Sequence, residues 1–230
     1  MKIISFVFAR GNSKGIKNKN LLKFRKNTLL GNSISQAMKS KFINDVFVST
    51  DSSQIASEAK RNKAKVPFMR PKELASDTSP IIYSWRHAVK HLNDKLNLKP
   101  DYIVDVPPTA PLRKVSDIDS CIKLAISKNL DIVYTVTPSS RSPYFNMLVK
   151  KNGKLQLVIK TKKKFFNRQE TPKTYDMTTV CYVFKPKYIN KTKNIHSGKT
   201  GFVIVPKERA IDIDDNLDYK FAKYLSNEKK

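Results

Sequence analysis

The order of its apolar runs constrains the fold of this chain more than any other feature. Short β-type runs alternate with segments of helical period. Ile3–Ala9 is the first run, and a polar loop, Arg10–Asn20, follows at once. A helical segment around Ser33–Lys41 precedes the run Asp45–Ser49, which ends in Thr50 and Asp51. Helical segments at Gln54–Asn62 and Tyr83–Leu96 come before Tyr102–Val106, and one at Val115–Lys128 comes before Ile132–Val136. In Tyr83–Leu96, Trp85, Val89 and Leu92 fall on one helical face. Ser116 reads as the cap of the Val115 helix, with Asp117 in its first turn. Strands alternating with helices predict a mainly parallel sheet with crossover helices.

The pattern breaks between about residues 138 and 178. Phe145–Lys150 and Leu155–Ile159 flank Asn152-Gly153, a strong hairpin signal. This stretch reads as an insertion in one domain of 1–230. Val180–Phe184 and Thr200–Val205 return to strand character, and Asp218–Leu225 closes with a helix.

Composition narrows the class. With 40% hydrophobic and 28% charged residues, the chain is globular in type. No apolar run approaches the ~18 residues of a membrane span. The opening residues lack a full apolar region and a cleavage site, so they read as a strand and not as a signal peptide. Cys121 and Cys181 have no metal or redox spacing and read as free buried thiols of a reducing, cytoplasmic protein. The net charge of +26 suggests nucleic acid or an anionic surface. However, the cations are 36 Lys against 9 Arg, spread along the chain, whereas phosphate and base readout favours Arg. A solvated Lys-rich surface accounts for them better, a polyanionic small substrate is also compatible, and neither nucleic acid nor membrane is expected as the main partner.

The first loop carries the most specific chemistry. Arg10, Gly11, Asn12, Ser13, Lys14, Gly15, Lys19 and Asn20 sit just past a strand end, where open α/β sheets bind ligands. The glycines let backbone approach a ligand, Ser13 and amides can hold phosphate oxygens, and Arg10, Lys14 and Lys19 supply charge. The loop is neither a Walker A loop nor GxGxxG.

ARGNSKGIKNKN resembles the opening loop of the acylneuraminate cytidylyltransferases, which make CMP-sialic acids from CTP. Four more segments match in order: Val48–Asp51; Met69–Thr78, similar to RPxELAxD; Pro108–Arg113, similar to PTSPLR; and Ile211–Asp214 with Asp218. The resemblance spans Lys2 to about Leu225. It implies a Rossmann-like three-layer α/β/α sheet of the nucleotide-diphospho-sugar transferase type, with a small inserted dimerisation arm and a homodimer. It implies attack by a sugar's anomeric hydroxyl on the α-phosphorus of CTP, with loss of pyrophosphate, mostly by positioning and charge stabilisation.

By the same resemblance Arg10, Ser13, Lys14 and Lys19 would hold the triphosphate and Asn20 the nucleoside. Arg70 and backbone near Ser79 would read cytosine; a helix-entry ion pair of Arg70 with Glu73 or Asp77 is the other reading. Asp212 and Asp214, two apart, would share a strand face and repel unless a hard cation lies between them. With only oxygen ligands on offer, Mg²⁺ is expected there. His87, His91 and His196 make no zinc pattern. Arg168 and Gln169 resemble an RQ…P segment that contacts sugar or phosphates, with Tyr175 nearby. Catalysis would rest on Arg10 and Lys14 with the ion on Asp212 and Asp214.

The match weakens on the sugar side. Pro107 stands where the family has Gln before PTSPLR, and Asp176 where it has an Arg that pairs with the sugar carboxylate. Reversing that charge would cost several kcal/mol in the same pose. A different nine-carbon acid, of the legionaminic or pseudaminic type, is therefore expected, with Arg113, Arg141 and Lys173 as candidate carboxylate clamps. The alternatives are a synthetase for the eight-carbon sugar acid of lipopolysaccharide, 3-deoxy-manno-octulosonate, and a nucleic-acid or anionic-surface binder on this scaffold.

Overall fold

The structure, a computed structural model, describes residues 1–227. A six-stranded sheet runs in the order β10 (Thr200–Ile204), β6 (Ile132–Pro138), β9 (Tyr175–Phe184), β5 (Tyr102–Asp105), β1 (Ile3–Phe8), β4 (Asp45–Ser49). All strands are parallel except β9, which is antiparallel to both neighbours. β1 is buried along its whole length, as expected of a parallel strand covered on both faces. Ile3 and Val7 point into one core with α1 (Leu29–Met38), α2 (Ser53–Arg61) and α4 (Val115–Ser127). Ile4, Phe6 and Phe8 point into the other, with α3 (Ile81–Leu96) and α5 (Pro186–Lys191). The expected three-layer α/β/α sheet is the observed one.

Element ends follow local chemistry. α1 starts at Leu29, four residues earlier than the pattern suggests, because Thr28 Oγ1 accepts the Gly31 N–H at 3.0 Å. α4 does not use Ser116 as its cap: Lys114 holds that place, and Asp117 accepts the Lys114 N–H at 2.8 Å. β9 begins at Tyr175, so the inserted stretch rejoins the sheet earlier than expected. Within it, β7 (Leu148–Lys151) and β8 (Lys154–Leu157) form a hairpin around Asn152 and Gly153, both at positive φ. A short hairpin, β2 (Lys23–Phe24) and β3 (Asn27–Thr28), leads into α1. α6 (Asn216–Asn227) packs with it through a third cluster of Phe24, Leu29, Leu112, Ile213 and Ala222.

One carboxylate is buried at the end of β5. Asp105 is 2% exposed and accepts the Trp85 indole N–H at 2.8 Å. Burial pushes its carboxyl up to about 7, against the pull of Trp85, Arg113 and Arg70. The folded-state value lies above the ordinary one, so the native state holds this proton more tightly than the unfolded chain. Stability from this group is present at low pH and is lost as pH rises through 7. Asn at this position keeps an acceptor for Trp85 and cannot ionise. Urea titrations at pH 5 and pH 8 should show Asp105→Asn gaining on the parent at the higher pH, by on the order of 1–3 kcal/mol.

Candidate active site

Loops at the carboxyl ends of β1, β4 and β5 converge on a cavity of about 340 Å³. Phe8, Arg10, Ser13, Lys19 and Asn20 line one side, Arg70, Ser76, Ser79 and Ser84 another, and Pro107, Pro108 and Thr109 a third. A smaller cavity of about 210 Å³ adjoins it through Ser13 and Asp77, lined by Gly11, Asn12 and Lys14. Nine of the sequence-predicted residues thus lie along one continuous depression.

The opening loop is tied down at each turn. The Ala9 N–H donates to the Ser49 carbonyl at 3.0 Å, and the Gly11 N–H to Asp51 Oδ1 at 2.8 Å. Asn20 is buried, and its amide donates to the Arg10 carbonyl at 2.9 Å, so it braces the loop as well as lining the cavity. Asp77 pairs with Arg10 at 2.6 Å and with Lys14 at 3.3 Å. A triphosphate would meet the same two cations. Neither Glu73 nor Asp77 pairs with Arg70. Its guanidinium is buried, donates to Ser84 Oγ at 3.2 Å and lies 3.8 Å from Asp51. Ser84 in turn donates to the Leu74 carbonyl at 3.2 Å. Arg70 Nε is buried with no protein partner.

The acidic segment closes over this loop from the far end of the chain. It is not a strand, so Asp212 and Asp214 do not share a strand face as expected. Instead the Ile213 N–H donates to the Thr109 carbonyl at 2.9 Å and Ile213 sinks into the third core. Lys19 Nζ donates to the Ile213 carbonyl at 2.5 Å and to Asp214 Oδ1 at 3.1 Å. Asp214 is exposed, whereas Asp212 is largely enclosed and its Oδ1 has no protein partner. Burial pushes the Asp212 carboxyl up; the Thr109 and Thr179 hydroxyls and Lys19 pull it down, and Asp214 adds to the rise. An enclosed carboxylate with a free oxygen, a second carboxylate beside it and no soft donor fit Mg²⁺. Among the described residues no group of three or more His, Cys, Asp or Glu gathers for a metal. Further oxygens would have to come from phosphates and water.

The sugar-side expectations divide. Arg113 does not reach the cavity. It is 3% exposed and donates to Ser33 Oγ at 2.9 Å, to Gln36 Oε1 at 3.3 Å and to the Pro107 carbonyl. The loop after Pro107 turns back onto α1, so this arginine straps the loop down and is spent there. Arg168, Gln169 and Tyr175, with Arg141 and Lys173, line a different cleft of about 430 Å³, which shares no lining residue with the first. Asp176 accepts from Ser139 Oγ at its rim. Sequence reasoning passed over Asp51, Ser84 and Thr109, and it offered Asp77 as a partner of Arg70 where the structure pairs it with Arg10 and Lys14. Asp51 and Thr109 sit inside the matched segments, where the motif alone gave them no role.

A Rossmann-like sheet with a polar, cation-lined cavity at its parallel strand ends defines a nucleotidyltransferase-type protein. The cytidylyltransferase family profile matches residues 4–230, and the chain belongs to that family. It is 35% identical over 229 residues to post-translational flagellin modification protein B of Campylobacter coli, covering 99% of this chain and 96% of that one. It is 34% identical to the CMP-N,N'-diacetyllegionaminic acid synthase of Campylobacter jejuni, covering 97% and 94%. Among solved structures, a CMP:2-keto-3-deoxy-manno-octonic acid synthetase complexed with CTP superposes over 100% of both chains, with a TM-score of 0.74 at 11% identity, a likeness of fold.

Gly15 tests the closure directly. A Cβ there would stand 2.0 Å from the Asp214 carbonyl oxygen, so any side chain pushes the loop and the acidic segment apart. Gly15→Ala should weaken CTP binding, read by isothermal titration, by about tenfold or more, since displacements near 1 Å cost that much in positioned sites. Far-UV circular dichroism should be unchanged.

Proposed function

We propose that this enzyme activates an acidic nine-carbon keto sugar, of the legionaminic or related sialic acid-like class, with CTP, giving the CMP-sugar and pyrophosphate with Mg²⁺. The observation that carries the reading is the convergence of Arg10, Ser13, Arg70, Ser79 and Thr109 on one cavity, with Asp212 against its Thr109 wall. The nine-carbon class is supported by the similarity to the legionaminic acid synthase, which extends over nearly both chains.

In this reading the base lies against Arg70, whose guanidinium donors suit a carbonyl acceptor. The triphosphate lies along Gly11–Lys14, where amides, Ser13 Oγ, Arg10 and Lys14 meet its oxygens. Arg10 and Lys14 stabilise the charge that builds on the phosphates as the anomeric oxygen bonds to the α-phosphorus. The bond to the bridging oxygen of pyrophosphate breaks, and the hydroxyl proton leaves to solvent or a base. Asp212 and Asp214 would hold the ion, which supplies positive charge against the triphosphate. Asp212→Asn should lower kcat for pyrophosphate release by on the order of a hundredfold or more. A chelator should silence the parent. A sugar panel including eight-carbon acids decides the class: turnover only with an eight-carbon acid overturns the nine-carbon reading. Strongly salt-dependent nucleic-acid binding without CTP turnover would favour the charge-driven alternative.

We also propose a cytoplasmic homodimer built on the inserted arm. Leu148, Leu155, Tyr175, Met177, Phe202 and Ile204 are exposed along the arm, the adjoining β9 and the edge strand β10. A second copy covering them would bring Arg168, Gln169 and Lys173 toward its partner's sugar. This gives the separate 430 Å³ cleft a use that one chain alone does not. Phe202→Glu with Leu155→Glu should sediment as a monomer while the parent sediments as a dimer. The variant's KM for the sugar should rise more than its KM for CTP.

A further inference from the structure

Two walls of the nucleotide cavity are joined behind it by one buried hydrogen bond. α3 begins at the cavity, where Ile81 and Ser84 line it. Its N-cap is Pro80, which makes no side-chain capping bond, so tertiary contacts must fix the first turn. Ser84 and Trp85 are adjacent on the helix and point about 100° apart. Ser84 Oγ accepts from Arg70 at 3.2 Å and donates to the Leu74 carbonyl at 3.2 Å, and both partners line the cavity. Trp85 points into the sheet. It is fully buried, stacks on Phe184 at 4.6 Å and donates its indole N–H to Asp105 Oδ2 at 2.8 Å. Asp105 ends β5. The chain then runs through Val106, whose N–H donates to the Phe6 carbonyl at 3.1 Å, into the wall of Pro107, Pro108 and Thr109.

A carboxyl group is a costly choice at this place. Trp85 is its one hydrogen-bond donor, and its Oδ1 is buried with no protein partner. An apolar residue would fill the same space without that cost, so the group stands here for what it holds. What it holds is the rotation of α3. Arg86 ties the helix to α5 separately, its Nε donating to the Ile189 carbonyl at 2.9 Å. The Trp85 bond sets which way Ser84 faces, and Ser84 takes a donor of Arg70. Orientation decides how an arginine reads a base. Cytosine offers two adjacent acceptors, its 2-carbonyl and N3, where uracil offers an acceptor and a donor. A planar guanidinium fork meets the acceptor pair in one orientation only.

We propose that Asp105 and Trp85 are positioning residues for base selection: their hydrogen bond sets the α3 wall so that Ser84 orients the Arg70 guanidinium for cytosine over uracil. The inference rests on the proposed role of Arg70 in reading the base. It assigns the buried acid of β5 to the choice of nucleotide, although it touches neither the cavity nor Arg70 directly.

The test titrates CTP and UTP calorimetrically into the parent and its variants, with Mg²⁺ and no sugar. Asp105→Leu and Trp85→Phe should each narrow the preference for CTP over UTP by about tenfold, the scale of a small misplacement in a positioned site. The double variant should be no worse than either single one, since both remove the same bond. Asp105→Asn keeps the acceptor and should retain the parent's preference, while Arg70→Met should lose it. Trp85 is the chain's one tryptophan, so its emission reports whether the core of the Asp105 variants is closed, and far-UV circular dichroism does so for Trp85→Phe. Parent-like preference in Asp105→Leu and Trp85→Phe, with Arg70→Met unselective, overturns this inference alone. So does equal weakening of CTP and UTP, the outcome of a merely structural brace. A loss in Asp105→Asn equal to that in Asp105→Leu overturns it in favour of charge. Parent-like preference in Arg70→Met overturns the reading of Arg70 and this inference with it.

Discussion

The site depends on a closure between residues nearly two hundred positions apart. The Lys19 ammonium reaches the Ile213 carbonyl, and Gly15 leaves room for the Asp214 carbonyl where no side chain would fit. The Ile213 amide is taken by Thr109, so three strand-end loops meet at one peptide. That meeting is anchored by apolar burial: Ile213 packs with Phe24, Leu29, Leu112 and Ala222. The first loop therefore shares its shape with the segment that leads into the last helix. Site formation is coupled to completion of the fold through a contact with a large loop-closure cost.

Net charge describes this protein poorly, because the charges that matter are the few taken out of water. Arg70, Arg113 and Asp105 are each at most 5% exposed, and each is held by directional hydrogen bonds and not by a close salt bridge. The Trp85 indole serves Asp105, Ser84 serves Arg70, and Ser33 with Gln36 serves Arg113. An unpaired buried charge is expensive, so such groups persist where their orientation is used. Arg70 shows the logic: Ser84 receives a hydrogen bond from its guanidinium at 3.2 Å, while the nearest carboxylate, Asp51, stands off at 3.8 Å.

The parallel sheet was legible because apolar runs and helical periods alternate at separations that crossovers require. The nucleotide loop was legible because its glycines, Ser13 and cations are contiguous in sequence. The geometry of Asp212 and Asp214 was not. A two-residue spacing suggests a strand, but tertiary hydrogen bonds to Thr109 and Lys19 set this backbone, and neither partner is near it in sequence. Arg113 failed for a related reason. Its motif neighbours line the cavity, yet its own side chain points back at α1, and only the fold tells those directions apart. The antiparallel entry of β9 at Tyr175 was hidden because its first half, with exposed polar and apolar residues mixed, lacks the apolar run that marks Val180–Phe184.

The two halves of the site sit on different kinds of structure, and this bears on how specificity can change. The nucleotide half stands at the ends of parallel strands covered on both faces, where loop positions are fixed by a dense core and a substitution is felt by both cores. The separate cleft of about 430 Å³ draws on the bulged antiparallel strand β9 and on an arm whose hairpin pairs only with itself. Such an arm can change sequence, charge and reach without disturbing the sheet. Asp176 lies on this second side, at the rim of its cleft. On the proposed reading, a fold arranged in this way can keep one nucleotide and vary the acid that is joined to it, because the two cavities share no lining residue.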